Sequence, residues 1–284
     1  MPAPLQRLDF TITPTHGRAT RADARLQPNN LPKPVVIFIH GFKGFKEWGY
    51  FNLLADYFAE AGFVFIKLNL SHNGSTLTED DVLDLEAFAQ NNFSKELTDV
   101  STLIDYLYTN KSAVPANEIN LNQLFIIGHS RGGGLAILAS AQDIRIKATA
   151  TWAAISDLEN RWPAQVIAKW KEEGVLHVEN MRTKQLLPLY YQLVEDFLAN
   201  KEKLSIPAAA RHMTQPLLLI HGTHDETLPL QMAYDLKTNK PDAALEIITK
   251  CDHSFGGSHP YPHTTLPAAA QHAADKTISF FKAF

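Results

Sequence analysis

The chain has 284 residues, and its 26 Lys and Arg against 30 Asp and Glu leave a formal net charge of −4 at pH 7. This charge excludes a strongly basic nucleic-acid binder, and the hydrophobic content of 45% excludes an intrinsically disordered chain. Cys251 is the only cysteine, so an intrachain disulfide, a Cys-rich zinc site and an iron–sulfur cluster are all excluded. A reducing cytoplasm is therefore the expected location.

Neither a membrane segment nor a metal site is indicated. No run resembles a signal peptide or approaches the ~20 apolar residues of a membrane span. The 12 histidines are scattered, and the late pair His259 and His263 is separated by Pro260 and Pro262, which prevent the helix that would align two imidazoles on a metal. We therefore expect a soluble protein without cofactor or metal, whose partner is a small molecule rather than nucleic acid or a membrane.

In chain order, the first elements are predicted strands. The segment from Leu8 to Arg25 alternates polar and apolar residues, which predicts one or two antiparallel edge strands. Six short apolar runs, rich in β-branched residues, then predict buried strands of a mostly parallel sheet. These runs are Val35–Ile39, Phe63–Leu68, Leu124–Ile127, Ala148–Ala153, Leu217–Ile220 and Leu245–Ile248.

Helical periodicity lies between the runs. Phe51, Leu54 and Phe58 have helical spacing after the first run. The segment from Phe93 to Leu107 has an apolar stripe, and Lys95, Glu96 and Asp99 are expected on its other side. The stripe consists of Phe93, Leu97, Val100, Ile104 and Leu107. Strand and helix in alternation predict an α/β sheet with helices on both faces.

A long interval breaks this alternation. About 60 residues separate Ala154 from Pro216, more than one connection and one helix require. We interpret residues 158–210 as an inserted helical cap, and residues 1–157 and 211–284 as the core. The stretches 162–170 and 186–197 both have helical spacing. Their aromatic residues either line a substrate pocket or pack in a small satellite core. The candidates are Trp162, Trp170, Tyr190 and Tyr191.

The segment Gly128-His129-Ser130-Arg131-Gly132 has the form G-x-S-x-G. It lies between an apolar run and the helix-like segment from Leu135 to Ala141, which is the strand–turn–helix context of a nucleophile elbow. The serine of such a turn has strained backbone angles, and side chains two residues before and after it would collide with backbone. The sequence therefore predicts Ser130 as a nucleophile. A Gly-rich turn that binds an anion at a helix start is the alternative.

A serine nucleophile needs a base and a group that orients the base. His253 follows the last apolar run, and Asp225 follows the run before it. Three other carboxylates compete with Asp225. Asp252 is adjacent to His253, where neighbouring side chains diverge, and Glu226 is one residue further along the loop. Asp157 ends another predicted strand and would serve in a rearranged triad.

These motifs resemble the α/β-hydrolase superfamily, and within it the esterases related to dienelactone hydrolases and to cinnamoyl or feruloyl esterases. The resemblance spans about Pro34 to Phe284. The matching motifs are His40-Gly41-Phe42-Lys43-Gly44, Gly128-His129-Ser130-Arg131-Gly132, His221-Gly222-Thr223-His224-Asp225 and Asp252-His253-Ser254-Phe255. The resemblance implies a mostly parallel twisted sheet with helices on both faces and an inserted helical lid. It also implies an oxyanion hole made by the backbone N–H groups of Phe42 and Arg131, with His40 holding the oxyanion loop by hydrogen bonding.

The expected activity is that of a serine hydrolase. Dienelactone hydrolases proper have a Cys nucleophile, and Ser130 favours the cleavage of carboxylic esters with small or medium acyl groups, aromatic ones included. His253 would take the Ser130 proton, and Asp225 would stabilise the imidazolium. Because the base must be neutral, activity should fall as the pH drops through roughly 6 to 7. The alternatives are a small-peptide serine peptidase of the prolyl-oligopeptidase type and a noncatalytic ligand-binding homologue.

Overall fold

The computed structural model describes residues 3–159 and 161–284. The strands are β1 (Gln6–Ile12), β2 (Thr20–Leu26), β3 (Lys33–Ile39), β4 (Val64–Leu68), β5 (Ile119–His129), β6 (Ile146–Trp152), β7 (Val175–Glu179), β8 (Leu186–Tyr190), β9 (Leu217–Gly222) and β10 (Ala244–Ile248). The helices are α1 (Phe51–Glu60), α2 (Leu85–Ala89), α3 (Phe93–Leu107), α4 (Arg131–Gln142), α5 (Ala164–Glu173), α6 (Gln192–Ala199), α7 (Ile206–His212), α8 (Gln231–Asn239) and α9 (Ala268–Phe281). Each of the six predicted apolar runs corresponds to one of these strands.

Eight strands form one sheet in the order β1-β2-β4-β3-β5-β6-β9-β10. Strands β1, β2 and β4 pair antiparallel, and every other neighbouring pair in this sheet is parallel. The prediction of a mostly parallel sheet with antiparallel edge strands is therefore confirmed. The parallel strands share one direction, so the loops after β5, β9 and β10 leave the sheet at the same edge.

The core consists of two apolar clusters, one on each face of the sheet. Along β3, Val35, Ile37 and Ile39 pack into one cluster, while Val36 and Phe38 pack into the other, as the two-residue period of a strand requires. Helices α3 and α4 contribute to the first cluster, and α1 and α9 contribute to the second. Burial on both faces explains why the central strands appear in the sequence as uninterrupted apolar runs.

Helix α3 has the predicted apolar stripe, and the Asn92 side chain caps its N-terminus. The expectation that its acidic residues lie on a free polar face is wrong for Glu96 and Asp99, which are 2% and 0% exposed. Each buried carboxylate has a specific partner. Glu96 pairs with Arg131, and Asp99 accepts the Ser71 backbone N–H.

The segment between β6 and β9 contains α5, β7, β8, α6 and α7. The helix expected over 186–197 forms only from Gln192, because residues 186–190 form β8, which pairs antiparallel with β7. Leu187 and Leu189 are buried while the residues between and beside them are not, which is the two-residue period of a strand. Pro188 also lacks the N–H that a helix interior needs. No helix of the described segments is long and apolar enough to cross a bilayer.

A buried ion-pair cluster lies where β2 pairs with β4. Asp23 and Lys67 face each other across the two strands, with 3.5 Å between Oδ1 and Nζ. The Lys46 Nζ atom is 2.9 Å from the same Asp23 oxygen and also contacts Glu47, whose Oε2 lies 3.3 Å from Lys67 Nζ. The side chains of Asp23, Lys46 and Lys67 are 0%, 1% and 0% exposed. Burial lowers the pKa of Lys67, and the two carboxylates oppose that shift.

Candidate active site

Ser130 lies in the sharp turn between β5 and α4. Its φ of 57° and ψ of −120° lie outside the regions that L-residues ordinarily adopt. The turn also requires its two glycines. A Cβ on Gly128 would lie 2.0 Å from the Gly132 carbonyl oxygen, and one on Gly132 would lie 2.4 Å from the Ile39 carbonyl oxygen. The local geometry therefore has the strain and the close backbone approach expected of a nucleophile elbow.

The loops after β9 and β10 bring Asp225 and His253 to Ser130. Ser130 Oγ is 3.0 Å from His253 Nε2, and His253 Nδ1 is 2.7 Å from Asp225 Oδ2. The other carboxylate oxygen, Asp225 Oδ1, accepts the backbone N–H groups of Thr227 at 2.9 Å and Leu228 at 2.8 Å. The three residues proposed from the sequence thus form one continuous hydrogen-bonded chain.

Among the described residues, the carboxylate that bonds to the His253 ring is Asp225 rather than one of its rivals. Asp252 accepts hydrogen bonds from the Ser254 hydroxyl and the Gly256 N–H instead. Glu226 is exposed, and Asp157 accepts the N–H of Glu159. Asp225 therefore occupies the position next to His253 Nδ1.

The Asp225 carboxylate is held in its ionised form. Burial alone would raise its pKa, but hydrogen bonds from His221, His253 and the Leu228 N–H outweigh burial and keep this pKa well below its usual range. The His221 Nε2 atom also lies 3.0 Å from the Leu228 carbonyl oxygen, so His221 fixes the loop that carries Asp225.

Two further histidines near Ser130 are buried. Burial lowers the pKa of His40 to about 4, and burial together with the charge of His253 lowers the pKa of His129 to about 3. His40 Nδ1 donates to the Gly41 carbonyl at 2.9 Å and its Nε2 accepts the Leu70 N–H at 3.1 Å, which confirms that His40 holds its loop by hydrogen bonding. His129 Nε2 donates to the His253 carbonyl at 2.9 Å. Both rings stay neutral at the pH of any ordinary assay.

Asp225→Asn is expected to lower kcat/KM by about 10⁴-fold. The Asp225 carboxylate orients the His253 ring through Nδ1 and stabilises the imidazolium that forms during the reaction, and a neutral amide does neither. The measurement is kcat/KM for a neutral ester between roughly pH 5 and 9. A plateau within tenfold of that of the unaltered protein would contradict the pairing of Asp225 with the base.

The two backbone N–H groups proposed for an oxyanion hole belong to segments next to Ser130. A Cβ on Gly41 would be 2.9 Å from Ser130 Cβ, so the loop that carries Phe42 lies against the nucleophile. Arg131 is the first residue of α4, where an N–H has no intrahelical acceptor. Within residues 3–159 and 161–284, neither of these N–H groups donates to another backbone or side-chain group.

The Arg131 side chain does not enter the site. Its Nη2 lies 2.8 Å from Glu96 Oε1 and its Nε lies 3.1 Å from Oε2 of the same carboxylate. The guanidinium carbon lies 4.3 Å from the centre of the Phe93 ring and 5.3 Å from that of Phe42. This buried pair therefore holds the beginning of α4 against the Phe42 loop.

A cavity of about 550 Å³ opens above Ser130. It is lined by Gly41, Phe42, Lys43, Gly44, Trp48, Phe51, His129, Ser130, Arg161, Asn180, Met181, Arg182, Thr227, Leu228, His253, Ser254 and His259. Core loops supply most of these residues, and the 158–210 segment supplies Arg161 and the loop between β7 and β8. A second cavity of about 100 Å³ shares Phe42 and Arg161 with the first.

None of the four aromatic residues proposed from the insert is among the lining residues of the cavity at Ser130. Trp170 is 1% exposed, and its indole N–H donates to the Leu189 carbonyl. Tyr191 packs against the Trp170 ring, and the Tyr190 hydroxyl donates to Glu86. Trp162 lines the smaller cavity. The residues belong mainly to the satellite core that was the alternative interpretation.

Sequence reasoning missed several lining residues of the larger cavity. Trp48 precedes α1, and Phe51 appeared only as part of the stripe of that helix. Met181 lies in a loop without periodicity, and Arg161 lies between predicted elements. A signal was present only for Phe51, whose position one turn before Leu54 is equally compatible with a core role.

Solved hydrolases share this fold. Est1E from Butyrivibrio proteoclasticus is 18% identical, with a TM-score of 0.67 over 98% of this chain and 100% of that chain, and another Est1E structure contains ferulic acid. A putative dienelactone hydrolase from Klebsiella pneumoniae is 15% identical, with a TM-score of 0.63 over 99% and 100%. The acylaminoacyl peptidase from Pyrococcus horikoshii is 16% identical, with a TM-score of 0.67 over 98% of this chain and 41% of that chain.

At these identities the likeness establishes the fold, and the family follows from the sequence. Among curated proteins, no sequence matches the chain. A family model described as BD-FAE matches residues 25–239, which is well over half of the chain. The chain therefore belongs to the BD-FAE family of esterase-like α/β-hydrolases.

Proposed function

We propose that the protein is a serine carboxylesterase that works through an acyl-enzyme on Ser130. The observation that carries this proposal is the chain of hydrogen bonds from Ser130 Oγ through His253 to Asp225, with distances of 3.0 Å and 2.7 Å. Family membership supports hydrolase chemistry, and the open cavity above Ser130 provides room for a substrate.

In the proposed reaction, Ser130 Oγ attacks the ester carbonyl while His253 Nε2 takes the hydroxyl proton. The backbone N–H groups of Phe42 and Arg131 stabilise the oxyanion, each donor contributing about 3 kcal/mol to the transition state. The imidazolium then gives its proton to the leaving alcohol. Water, deprotonated by His253, attacks the acyl-enzyme and releases the carboxylic acid, which regenerates Ser130.

The lining of the larger cavity favours small or medium acyl groups with some apolar surface. Trp48, Phe51, Met181 and Leu228 supply apolar walls in a volume of about 550 Å³. We also propose that residues 158–210 act as a cap, because Arg161 and residues 180–182 line the cavity together with the core loops. The ferulic acid bound to Est1E makes an aromatic acyl group one of the candidates to test.

The test compares the turnover of a panel of 4-nitrophenyl esters with the turnover of an amide that releases a related chromophore. We expect turnover of the acetate, the butyrate and a feruloyl ester, and labelling of the intact protein by a fluorophosphonate probe. An aminoacyl 4-nitroanilide cleaved faster than every ester would favour a small-peptide peptidase instead. Absence of both turnover and labelling would favour a noncatalytic ligand-binding protein.

A further inference from the structure

The cavity above Ser130 is positively charged, although the chain as a whole carries a net charge of −4. Lys43, Arg161 and Arg182 contribute to its wall. No carboxylate of the described residues is among its lining groups, and the Asp225 side chain is 0% exposed behind His253. A cavity with one sign of charge and low-dielectric walls concentrates ligands of the opposite sign.

Two of these three cations already have partners. Lys43 Nζ donates to the Glu179 carbonyl at 2.6 Å, and Arg182 pairs with Asp81. Both therefore connect the loop regions on either side of the cavity, and their hydrogen-bonding capacity is partly used. Their charges still contribute to the field inside the cavity.

Arg161 differs from the other two cations. In the described parts of the chain its guanidinium makes no hydrogen bond or ion pair within bonding distance, although the charge of Asp157 acts on it. An arginine presents five N–H donors in a planar fork that matches a carboxylate. Burial and the nearby Arg131 guanidinium lower the pKa of Arg161, and Asp157 opposes that shift, yet an arginine remains charged at neutral pH.

Arg161 is also close to the reacting groups. It lines the larger cavity together with Ser130 and His253, and it lines the smaller cavity together with Phe42 and Arg131. Phe42 and Arg131 are the residues whose N–H groups we assign to the oxyanion. One small substrate could therefore place an anionic group at Arg161 and its ester bond at Ser130 at the same time.

We propose that Arg161 binds a carboxylate carried by the substrate, so that the preferred substrates are esters with a second, anionic group. This inference rests on the proposed esterase function. It adds the substrate class, because Arg161 is exposed to the cavity and an ester of equal size without a negative charge would not form the charge-assisted hydrogen bonds that its guanidinium offers. The anionic group can belong to the acyl part or to the alcohol part.

Two matched pairs of esters separate these sources. For the acyl side, the mono-4-nitrophenyl ester of glutaric acid is compared with the 4-nitrophenyl ester of glutaric acid monoamide, its neutral isostere. For the alcohol side, 4-acetoxybenzoate is compared with 4-acetoxybenzamide. In at least one pair, kcat/KM for the anionic ester should exceed that for the neutral ester by about tenfold or more.

The variant Arg161→Gln should reduce this anionic-to-neutral ratio by about tenfold, and Arg161→Lys should retain part of it. Arg211→Gln is the control. Arg211 is exposed on α7, and its replacement removes the same charge at a position away from the cavity. Its ratio should equal that of the unaltered protein. Equal rates within both pairs, or a ratio that Arg161→Gln leaves unchanged, would overturn the proposal.

A binding measurement separates this inference from the proposed function. Isothermal titration of the Ser130→Ala protein with 4-acetoxybenzoate and the glutarate monoester needs no turnover, and Arg161→Gln in that background should weaken binding by about tenfold. If no ester is hydrolysed but this difference is measured, the proposed function fails and the Arg161 assignment stands. If esters are hydrolysed without the difference, only the assignment fails.

Discussion

Ser130→Ala is expected to lower kcat for ester hydrolysis by about 10⁵-fold to 10⁶-fold. The variant removes the oxygen that forms the acyl-enzyme, which is the hydroxyl that lies 3.0 Å from His253 Nε2. Background turnover from the backbone N–H donors and from substrate binding should remain. The measurement is burst and steady-state release of 4-nitrophenolate, with acyl-enzyme detected by mass spectrometry of the intact protein.

The structure provides a matched control for this variant. Ser101 lies on α3 with an exposed hydroxyl that donates to the Thr98 carbonyl, and Ser101→Ala should leave kcat unchanged. Alanine at position 130 adopts the same strained backbone as serine, so the melting temperature should change little. Activity of Ser130→Ala within tenfold of the unaltered protein would mean that another group is the nucleophile.

The strands and the elbow could be predicted from the sequence because both depend on local chemistry. Burial on both faces makes the inner part of a central strand such as β5 apolar, from Leu124 to Ile127, and the turn at Ser130 tolerates only glycine at positions 128 and 132. The order of Ser130, Asp225 and His253 then follows from one loop after each of three parallel strands. Short-range rules therefore located the candidate site.

The parts that could not be predicted depend on contacts distant in sequence. Leu186, Leu187 and Leu189 form a short apolar run between helix-like residues, a run whose length does not separate a strand from a helix, and pairing with β7 makes it a strand. Arg161 has no neighbours in the sequence that mark it as a pocket residue. Its position depends on how the whole insert packs above the core loops. Substrate recognition therefore depends on the part of the chain with the weakest periodic signal.

The buried charges of β2 and β4 illustrate the same limit. In the sequence, Asp23 occupies a polar position of an alternating segment, which is typical of a solvent-facing side chain. In the structure its carboxylate is 0% exposed and neutralises Lys46 and Lys67. Lys46 also donates its backbone N–H to the Asn69 side chain at 2.6 Å, so the cluster anchors the loop that follows β3.

Asp23→Ala is expected to destabilise the protein by about 3 to 5 kcal/mol, because it leaves two buried ammonium groups with Glu47 as their remaining carboxylate. Urea denaturation at neutral pH measures this loss. Asp242→Ala is the control, since Asp242 pairs with Lys240 at 3.0 Å but is 72% exposed, and its replacement should leave the stability nearly unchanged.

Asp23→Ala could destabilise the protein by leaving a charge unpaired or by removing packed side-chain atoms. The double variant Asp23→Ala/Lys67→Met distinguishes these two causes. Replacing both partners by apolar groups removes the dehydrated charge, so a large part of the stability lost in Asp23→Ala should return. If the double variant is as unstable as the single one, packing of the carboxylate rather than its charge holds β2 against β4. Recovery would show that Asp23 is required chiefly because Lys67 is buried, which makes the two positions coupled and their substitutions non-additive.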